Sequence, residues 1–136
     1  MAKTFHLSIL TPKHEFYSGQ VEMLNVSALD GELCVLAGHA PLISTVRPGI
    51  IEVHDDGKVT DRIFVAGGFA EVNPQRCTVL AEVALPVAEI DRAKVEAELK
   101  DLGDDLAAAK TDDDREAVQA KITIAEGKLQ AVATVH

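Results

Sequence analysis

Residues 30–49 constrain the fold more than any other part of this chain of 136 residues. Two apolar runs, residues 33–37 and 42–46, lie here between glycines and prolines. Glycine supplies positive φ, whereas proline fixes φ and lacks the N–H that a sheet ladder needs. The pattern therefore predicts short strands that are joined by tight turns.

The same pattern extends over residues 1–86. Apolar Phe5, Leu7 and Ile9 alternate with more polar residues, which is the period of a strand with one buried face. Asp56-Gly57 between two apolar runs is the clearest hairpin signal. Turn signals recur about every eight to twelve residues, as in an all-β sandwich or barrel. Residues 1–86 are therefore predicted to form an antiparallel β-sandwich domain of about ten strands.

The pattern changes after Pro86, where glycine becomes rare and alanine, leucine and charged residues dominate. Apolar residues then recur at steps of three and four, as on one face of a helix. These residues are Val95, Leu99, Leu102 and Leu106, then Val118, Ile122, Ala125, Leu129 and Val132. Residues 87–136 are predicted to form an antiparallel two-helix hairpin domain joined near residues 110–113. Thr111 and Asp114 have the spacing of a capping box.

Composition excludes several classes of function. The formal net charge of −9 argues against nucleic-acid binding, because phosphates require a basic surface. No run approaches the roughly 20 apolar residues of a membrane-spanning helix, and the first residues lack the apolar stretch of a signal peptide. We expect a cytosolic protein, or one that is attached to a membrane through a partner without direct insertion.

The sequence also lacks the motifs of an enzyme. The histidines stand singly without metal-ligand spacing, and the glycine-rich phosphate motifs are absent. Gly67-Gly68 is predicted to be a turn, because strands and not a helix follow it. Cys34 and Cys77 are predicted to be small buried apolar residues, and His39 to be a turn or contact residue. We therefore expect no catalytic activity, no metal and no cofactor.

Several segments together resemble the epsilon subunit of bacterial F-type ATP synthases. The strongest is residues 30–49, with Gly-Glu-Leu, Gly-His-Ala-Pro and Pro-Gly at matching intervals. Residues 16–22, 67–72 and 78–81 add to the likeness. The resemblance implies a central-stalk subunit whose sandwich binds the gamma subunit and rests on the c-ring, coupling proton-driven rotation to ATP synthesis. It also implies a peripheral location at the cytoplasmic face of the bacterial inner membrane.

The resemblance assigns candidate contacts with the c-ring. The ring-facing loop of the family matches Glu32 and His39, and Asp30, Gly38 and Pro41 shape that loop. Polar residues in a turn-rich segment on a rigid scaffold are well placed for such contacts.

The resemblance implies a regulatory role for the helices, which can reach the alpha and beta catalytic subunits and limit ATP hydrolysis. The ATP-binding motif of some members matches at Ile90 and Asp91, but Lys94 replaces its arginine. Lysine cannot form the planar fork of arginine. The helical half is also acidic, and an acidic helix is poorly suited to the acidic catalytic segment that inhibition uses in this family. We therefore hypothesise weak or absent inhibition.

Two alternatives belong to other classes. A free-standing β-sandwich binding module with a helical dimerisation arm predicts a stable homodimer without affinity for rotor subunits. A jelly-roll enzyme requires histidines and carboxylates that converge on one site, which the scattered histidines disfavour.

Overall fold

The computed structural model describes residues 3–28 and 31–135. The protein divides into two compact units, Met1–Pro86 and Val87–His136. Strands make up the first unit and helices the second.

Within the described residues, the first unit contains ten strands in two five-stranded sheets. The strands are β1 (Phe5–Leu10), β2 (Glu15–Val21), β3 (Met23–Ala28), β4 (Gly31–Leu36), β5 (Leu42–Thr45), β6 (Gly49–Asp55), β7 (Lys58–Ala66), β8 (Phe69–Val72), β9 (Arg76–Leu80) and β10 (Val83–Pro86). The first sheet has the order β2-β1-β9-β8-β5, and the second has β10-β7-β6-β3-β4. The predicted β-sandwich is confirmed.

One strand pair differs from the expected antiparallel arrangement. Strands β1 and β9 run parallel, with Leu7 opposite Cys77. Parallel neighbours require a long crossover connection, and the backbone here passes through the second sheet between the two strands. Turn spacing does not reveal this pairing, because it reports only on strands that follow each other directly.

The inward-facing side chains of the two sheets form a largely aliphatic core. Phe5, Leu7 and Ile9 on β1 are at most 1% exposed, as their alternation predicts. From the second sheet, Val53 and Val65 are completely buried. Removal of each such side chain from water contributes about 1.5–3 kcal/mol. The core thus fixes both sheets in one arrangement.

The two cysteines differ in their surroundings. Cys77 is buried, as predicted, and burial raises the pKa of its thiol to about 12. The prediction is wrong for Cys34, which is exposed. Neighbouring Val35 occupies the inward position on β4, and alternation along the strand turns Cys34 to the outer face.

The hairpin between β6 and β7 has the predicted turn. Asp56 and Gly57 have φ values of 54° and 75°. Two consecutive positive φ angles are typical of the type I′ turn, which matches the twist of a hairpin. The Glu22 carboxylate accepts a hydrogen bond from the Asp56 N–H at 3.1 Å, which ties the turn to the segment between β2 and β3.

The second unit begins with a short 3-10 helix, Val87–Glu89, and continues with α1 (Arg92–Ala108) and α2 (Asp112–Val135). The connection between α1 and α2 is short, close to the predicted position. The Thr111 hydroxyl accepts a hydrogen bond from the Asp114 N–H at 3.1 Å. This bond confirms the predicted cap at the start of α2.

A narrow apolar cluster joins α1 to α2. Val95, Leu102 and Ala125 are buried in it. Its partly buried members are Ile90, Leu99, Val118, Ile122 and Leu129. Partly exposed side chains contribute less than the ~1.5–3 kcal/mol of fully buried ones. The hairpin is therefore held less firmly than the sandwich.

Gly67 and Gly68 form a bend between β7 and β8, as predicted. Their φ values are 76° and 87°. A Cβ atom on Gly68 would lie 1.7 Å from the carbonyl oxygen of Leu80. Glycine is therefore required at position 68 by both backbone conformation and space.

We expect Gly68→Ala to lower the free energy of unfolding by more than about 3 kcal/mol, because positive φ alone costs about 1–3 kcal/mol and the methyl group would overlap Leu80. Urea unfolding followed by circular dichroism measures the change. Gly57→Ala is the control, because φ is also positive there but the added methyl group meets open space. Equal losses in both variants would contradict the importance of the close approach.

Candidate functional site

The candidate ring-contact residues lie on or beside two edge strands. Glu32 is in β4, which is the edge of the second sheet, and Pro41 directly precedes β5, which is the edge of the first. His39 lies between these strands. Asp30 lies outside the described residues. The expectation that Glu32 belongs to a loop is wrong, because it pairs with Ser27 in the β3–β4 ladder.

Glu32 belongs to a small polar cluster on the outer face of the second sheet. The Ser27 hydroxyl donates a hydrogen bond to Glu32 Oε1 at 3.3 Å. A guanidinium nitrogen of Arg47 lies 4.0 Å from the same oxygen. The Glu32 side chain is 67% exposed and the Arg47 side chain 46%. The Glu32 carboxylate is thus exposed, and Ser27 and Arg47 both approach the same one of its two oxygens. Such a group is suited to contact with a partner.

Backbone contacts fix the position of Ser27. The Arg47 N–H donates a hydrogen bond to the Ser27 carbonyl oxygen at 3.2 Å. A Cβ atom on Gly49 would lie 2.7 Å from Ser27 Oγ. The absence of a side chain at Gly49 therefore gives the Ser27 hydroxyl its place beside Glu32.

His39 is held in a turn at the other end of β4. Its N–H donates to the Leu36 carbonyl oxygen at 3.2 Å, and the Gly38 N–H donates to the Pro74 carbonyl oxygen at 2.8 Å. His39 Nδ1 lies 2.8 Å from the Ala40 carbonyl oxygen. Since a carbonyl oxygen can only accept, Nδ1 carries the proton in this contact.

The structure does not bring Glu32 and His39 together. Glu32 lies near the start of β4 and His39 lies beyond its end. At a rise of about 3.3 Å per residue, the strand from Glu32 to Leu36 alone spans about 13 Å, and His39 follows in the turn beyond Leu36. Pro41 lies near His39 in the sequence and is exposed. The two ends of β4 are therefore separate candidate contact regions.

Sequence reasoning missed Ser27 and Arg47 as neighbours of Glu32. The sequence pattern indicates only that Ser27 faces outward on an alternating strand and that Arg47 precedes a Pro-Gly turn. Their proximity follows from the β3–β4 register, which pairs Ser27 with Glu32. No local signal in the sequence specifies that register.

The nucleotide-binding candidates Ile90, Asp91 and Lys94 form the start of α1. The Asp91 carboxylate accepts a hydrogen bond from the Lys94 N–H at 3.3 Å, which makes Asp91 the N-cap. Ile90 packs against the apolar cluster that contains Val95. Ile90, directly before the N-cap, and Val95, four residues after it, occupy the positions of a hydrophobic staple. The contacts of all three candidates therefore serve the helix start.

Metal ligation and activation of a nucleophile are two features that a catalytic site can require. No group of three or more His, Cys, Asp or Glu side chains in residues 3–28 and 31–135 is arranged to hold a metal ion. The pKa of Tyr17 is raised by burial first, then by the Asp61 and Asp55 carboxylates. A raised pKa makes this phenol harder to ionise, so its surroundings do not activate it as a nucleophile.

No helix within residues 3–28 and 31–135 is long and apolar enough to cross a membrane.

Comparison with protein families accounts for both units. The family described as "ATP synthase, Delta/Epsilon chain, beta-sandwich domain" matches residues 4–87. The family that describes the C-terminal domain of the ATP synthase epsilon chain matches residues 91–136. The protein belongs to the ATP synthase epsilon chain family.

Individual relatives agree with this assignment. The sequence is 46% identical over 132 residues to the ATP synthase epsilon chain of Rhodospirillum rubrum, covering 96% of this chain and 98% of the relative. It is 44% identical over 133 residues to that of Paramagnetospirillum magneticum, covering 98% and 100%. Membership in the epsilon chain family therefore favours a subunit of a complex over a free-standing binding module.

Solved structures show the same fold. One chain of the Euglena gracilis mitochondrial ATP synthase, solved with OSCP, F1 and c-ring, matches with a TM-score of 0.76 and 25% identity. The match covers 98% of this epsilon chain and 82% of that chain. A chain from the Tetrahymena thermophila mitochondrial ATP synthase central stalk and c-ring matches with a TM-score of 0.61 and 14% identity, covering 98% of this chain and 97% of that one. The second likeness supports the fold alone.

We expect Asp91→Ala to destabilise the helical unit by about 0.5–2 kcal/mol, because it removes the N-cap acceptor. Hydrogen exchange in the first turn of α1 should become faster. Asp91→Asn is the control, since its side-chain oxygen can still accept the bond from the Lys94 N–H. Similar exchange in the two variants would contradict the capping role.

Proposed function

We propose that this epsilon chain is a non-catalytic rotor subunit in the central stalk of an F-type ATP synthase. In this role it links the gamma subunit to the c-ring and helps couple proton-driven rotation to ATP synthesis. The match of both units to epsilon chain families carries the proposal. The Euglena gracilis neighbour supports it, because its complex contains F1 and the c-ring. The protein would thus be held peripherally at the cytoplasmic face of the bacterial inner membrane.

The sandwich has the mechanical properties that this role requires. A rotor subunit must transmit force between two neighbours without changing shape. Close-packed cores have low compressibility and transmit strain, and the core here draws on both sheets. Hydrogen-bonded ladders also connect the five strands of each sheet. A force applied at one edge is therefore carried through the whole unit.

Glu32, His39 and Pro41, with Asp30 beside them in the sequence, are the proposed contacts with the c-ring. Glu32 and His39 lie toward opposite ends of β4, and the strand from Glu32 to Leu36 spans about 13 Å. A standard interface buries about 800 Å² on each partner and spans about 30 Å. One interface with the ring is therefore large enough to include both ends of the strand.

The acidic surface of the helical unit bears on regulation. The first turn of α2 carries Asp112, Asp113 and Asp114, which are all exposed. Like charges across an interface oppose association. We therefore propose that the helices inhibit ATP hydrolysis weakly or not at all, even if they reach the alpha and beta subunits. Because Lys94 cannot form the planar fork of the arginine that the motif requires, we propose that this subunit holds no nucleotide at Ile90, Asp91 and Lys94.

We expect Glu32→Lys to weaken binding of the full-length protein to a purified complex of gamma subunit and c-ring by at least about tenfold, because like charge replaces attraction at the contact. Surface biosensor measurements at two salt concentrations test this. Glu15→Lys is the matched control, since Glu15 is an exposed carboxylate on β2. Unchanged binding with Glu32→Lys would remove Glu32 from the interface.

We expect removal of residues 87–136 to change the ATP hydrolysis rate of the assembled enzyme by less than about twofold, because an acidic helix gains little from an acidic docking site. The rate is measured per assembled complex, with subunit content checked by gel. A many-fold rise in hydrolysis after truncation would establish inhibition by the helices.

A further inference from the structure

The Glu32 carboxylate is held asymmetrically. Oε1 accepts the hydrogen bond from the Ser27 hydroxyl at 3.3 Å and lies 4.0 Å from the Arg47 guanidinium. Within residues 3–28 and 31–135, Oε2 takes part in no hydrogen bond or ion pair. One oxygen is thus engaged within the sandwich while the other keeps its acceptor capacity.

We propose that Ser27 and Arg47 are positioning residues that hold Oε1 so that Oε2 is presented as a fixed acceptor to a hydrogen-bond donor of the c-ring. This inference rests on the proposed ring contact of Glu32. Ser27 faces Glu32 directly across the β3–β4 ladder, so its hydroxyl approaches from a rigid strand. Arg47 approaches from the segment that precedes β6.

Backbone features hold Ser27 and Arg47 in place. The Arg47 N–H is bonded to the Ser27 carbonyl oxygen at 3.2 Å, so the two residues are linked to each other as well as to Glu32. Gly49 leaves the space that the Ser27 side chain occupies, because a Cβ there would lie 2.7 Å from Oγ. This cluster thus connects the end of β3 at Ser27 with the start of β4 at Glu32. Its third part is the start of β6 at Gly49, together with Arg47 just before it.

The benefit of this arrangement is preorganisation and not stability. An exposed ion pair with one long distance contributes little to folding. Binding, however, requires a flexible glutamate to adopt one rotamer, and ordering it in advance reduces that entropic cost. Ser27 and Arg47 therefore affect ring affinity through Glu32 while they leave the free energy of unfolding almost unchanged.

A double-mutant cycle on the full-length protein tests the proposal. Binding to the complex of gamma subunit and c-ring is measured for the single variants Glu32→Gln, Arg47→Gln and Ser27→Ala. It is also measured for two double variants, in which Glu32→Gln is combined with Arg47→Gln or with Ser27→Ala. We expect Arg47→Gln and Ser27→Ala each to weaken binding by about two- to tenfold, the scale of ordering one side chain. In the Glu32→Gln background, Arg47→Gln should cause no further loss. Arg47→Lys should recover part of the affinity, because it keeps the charge without the fork.

The control is Arg62→Gln. Arg62 forms a 3.2 Å ion pair with Glu52 in the same sheet, and its side chain is 44% exposed, close to that of Arg47. This variant removes the same charge from a comparable pair, so it should bind like the unmodified protein. Urea unfolding of every variant shows whether any loss of binding reflects loss of fold.

The outcomes separate the positioning role from the contact itself. Equal losses from Arg47→Gln in both backgrounds would mean that Arg47 contacts the ring directly, and tighter binding would mean that it competes with the ring donor. Either result overturns positioning by Arg47. Weaker binding with Glu32→Gln but not with Arg47→Gln or Ser27→Ala would overturn positioning and keep the contact. Unchanged binding with Glu32→Gln would reject both the contact and its positioning.

Discussion

Contact between the inward faces of the two sheets is the interaction on which the other features of the first unit depend. Strands β4 and β5 are edges, so hydrogen-bonded ladders hold each of them on one side only. Val35 anchors β4 by its burial in the core at 1% exposure. Glu32, three residues earlier on the same strand, takes its position from that anchor. The apolar core therefore determines where the polar residues of the candidate site lie.

Strand β3 connects the core to the candidate site through its alternation. Leu24 and Val26 are completely buried, and Ser27 follows on the outer face. A slip of one residue in register would turn every side chain of a strand to the opposite face. Such a slip would bury Ser27 and expose Val26, so the hydrophobic effect keeps Ser27 on the outer face of the sheet. The β3–β4 register then places it opposite Glu32.

The features that the sequence predicts correctly depend on short stretches of residues. The Asp56-Gly57 turn and the Thr111 cap are set by the backbone preferences of a few adjacent residues. Strand alternation is equally local. The sandwich fold, the two helices and their junction were accessible for this reason, and the resemblance to epsilon subunits supplied Glu32 as a candidate.

The features that the sequence did not predict depend on which strands are neighbours. The parallel pairing of β1 with β9 joins segments about 70 residues apart, and loop closure over such a distance leaves no local mark. The exposure of Cys34 follows from the inward position of Val35 on an edge strand. The Ser27 and Arg47 contacts with Glu32 arise where the end of β3 and the starts of β4 and β6 meet.

The two units differ in how their apolar side chains are buried, and this difference has a consequence for function. The sandwich core consists of first-unit residues and most of its members are completely buried, whereas most of the α1–α2 cluster is partly exposed. Local opening occurs where few apolar contacts oppose it. The helices can therefore separate or fray at a free-energy cost that leaves the core around β3 and β4 intact. Ser27 on β3 and Glu32 on β4 therefore keep their positions when the helices open locally.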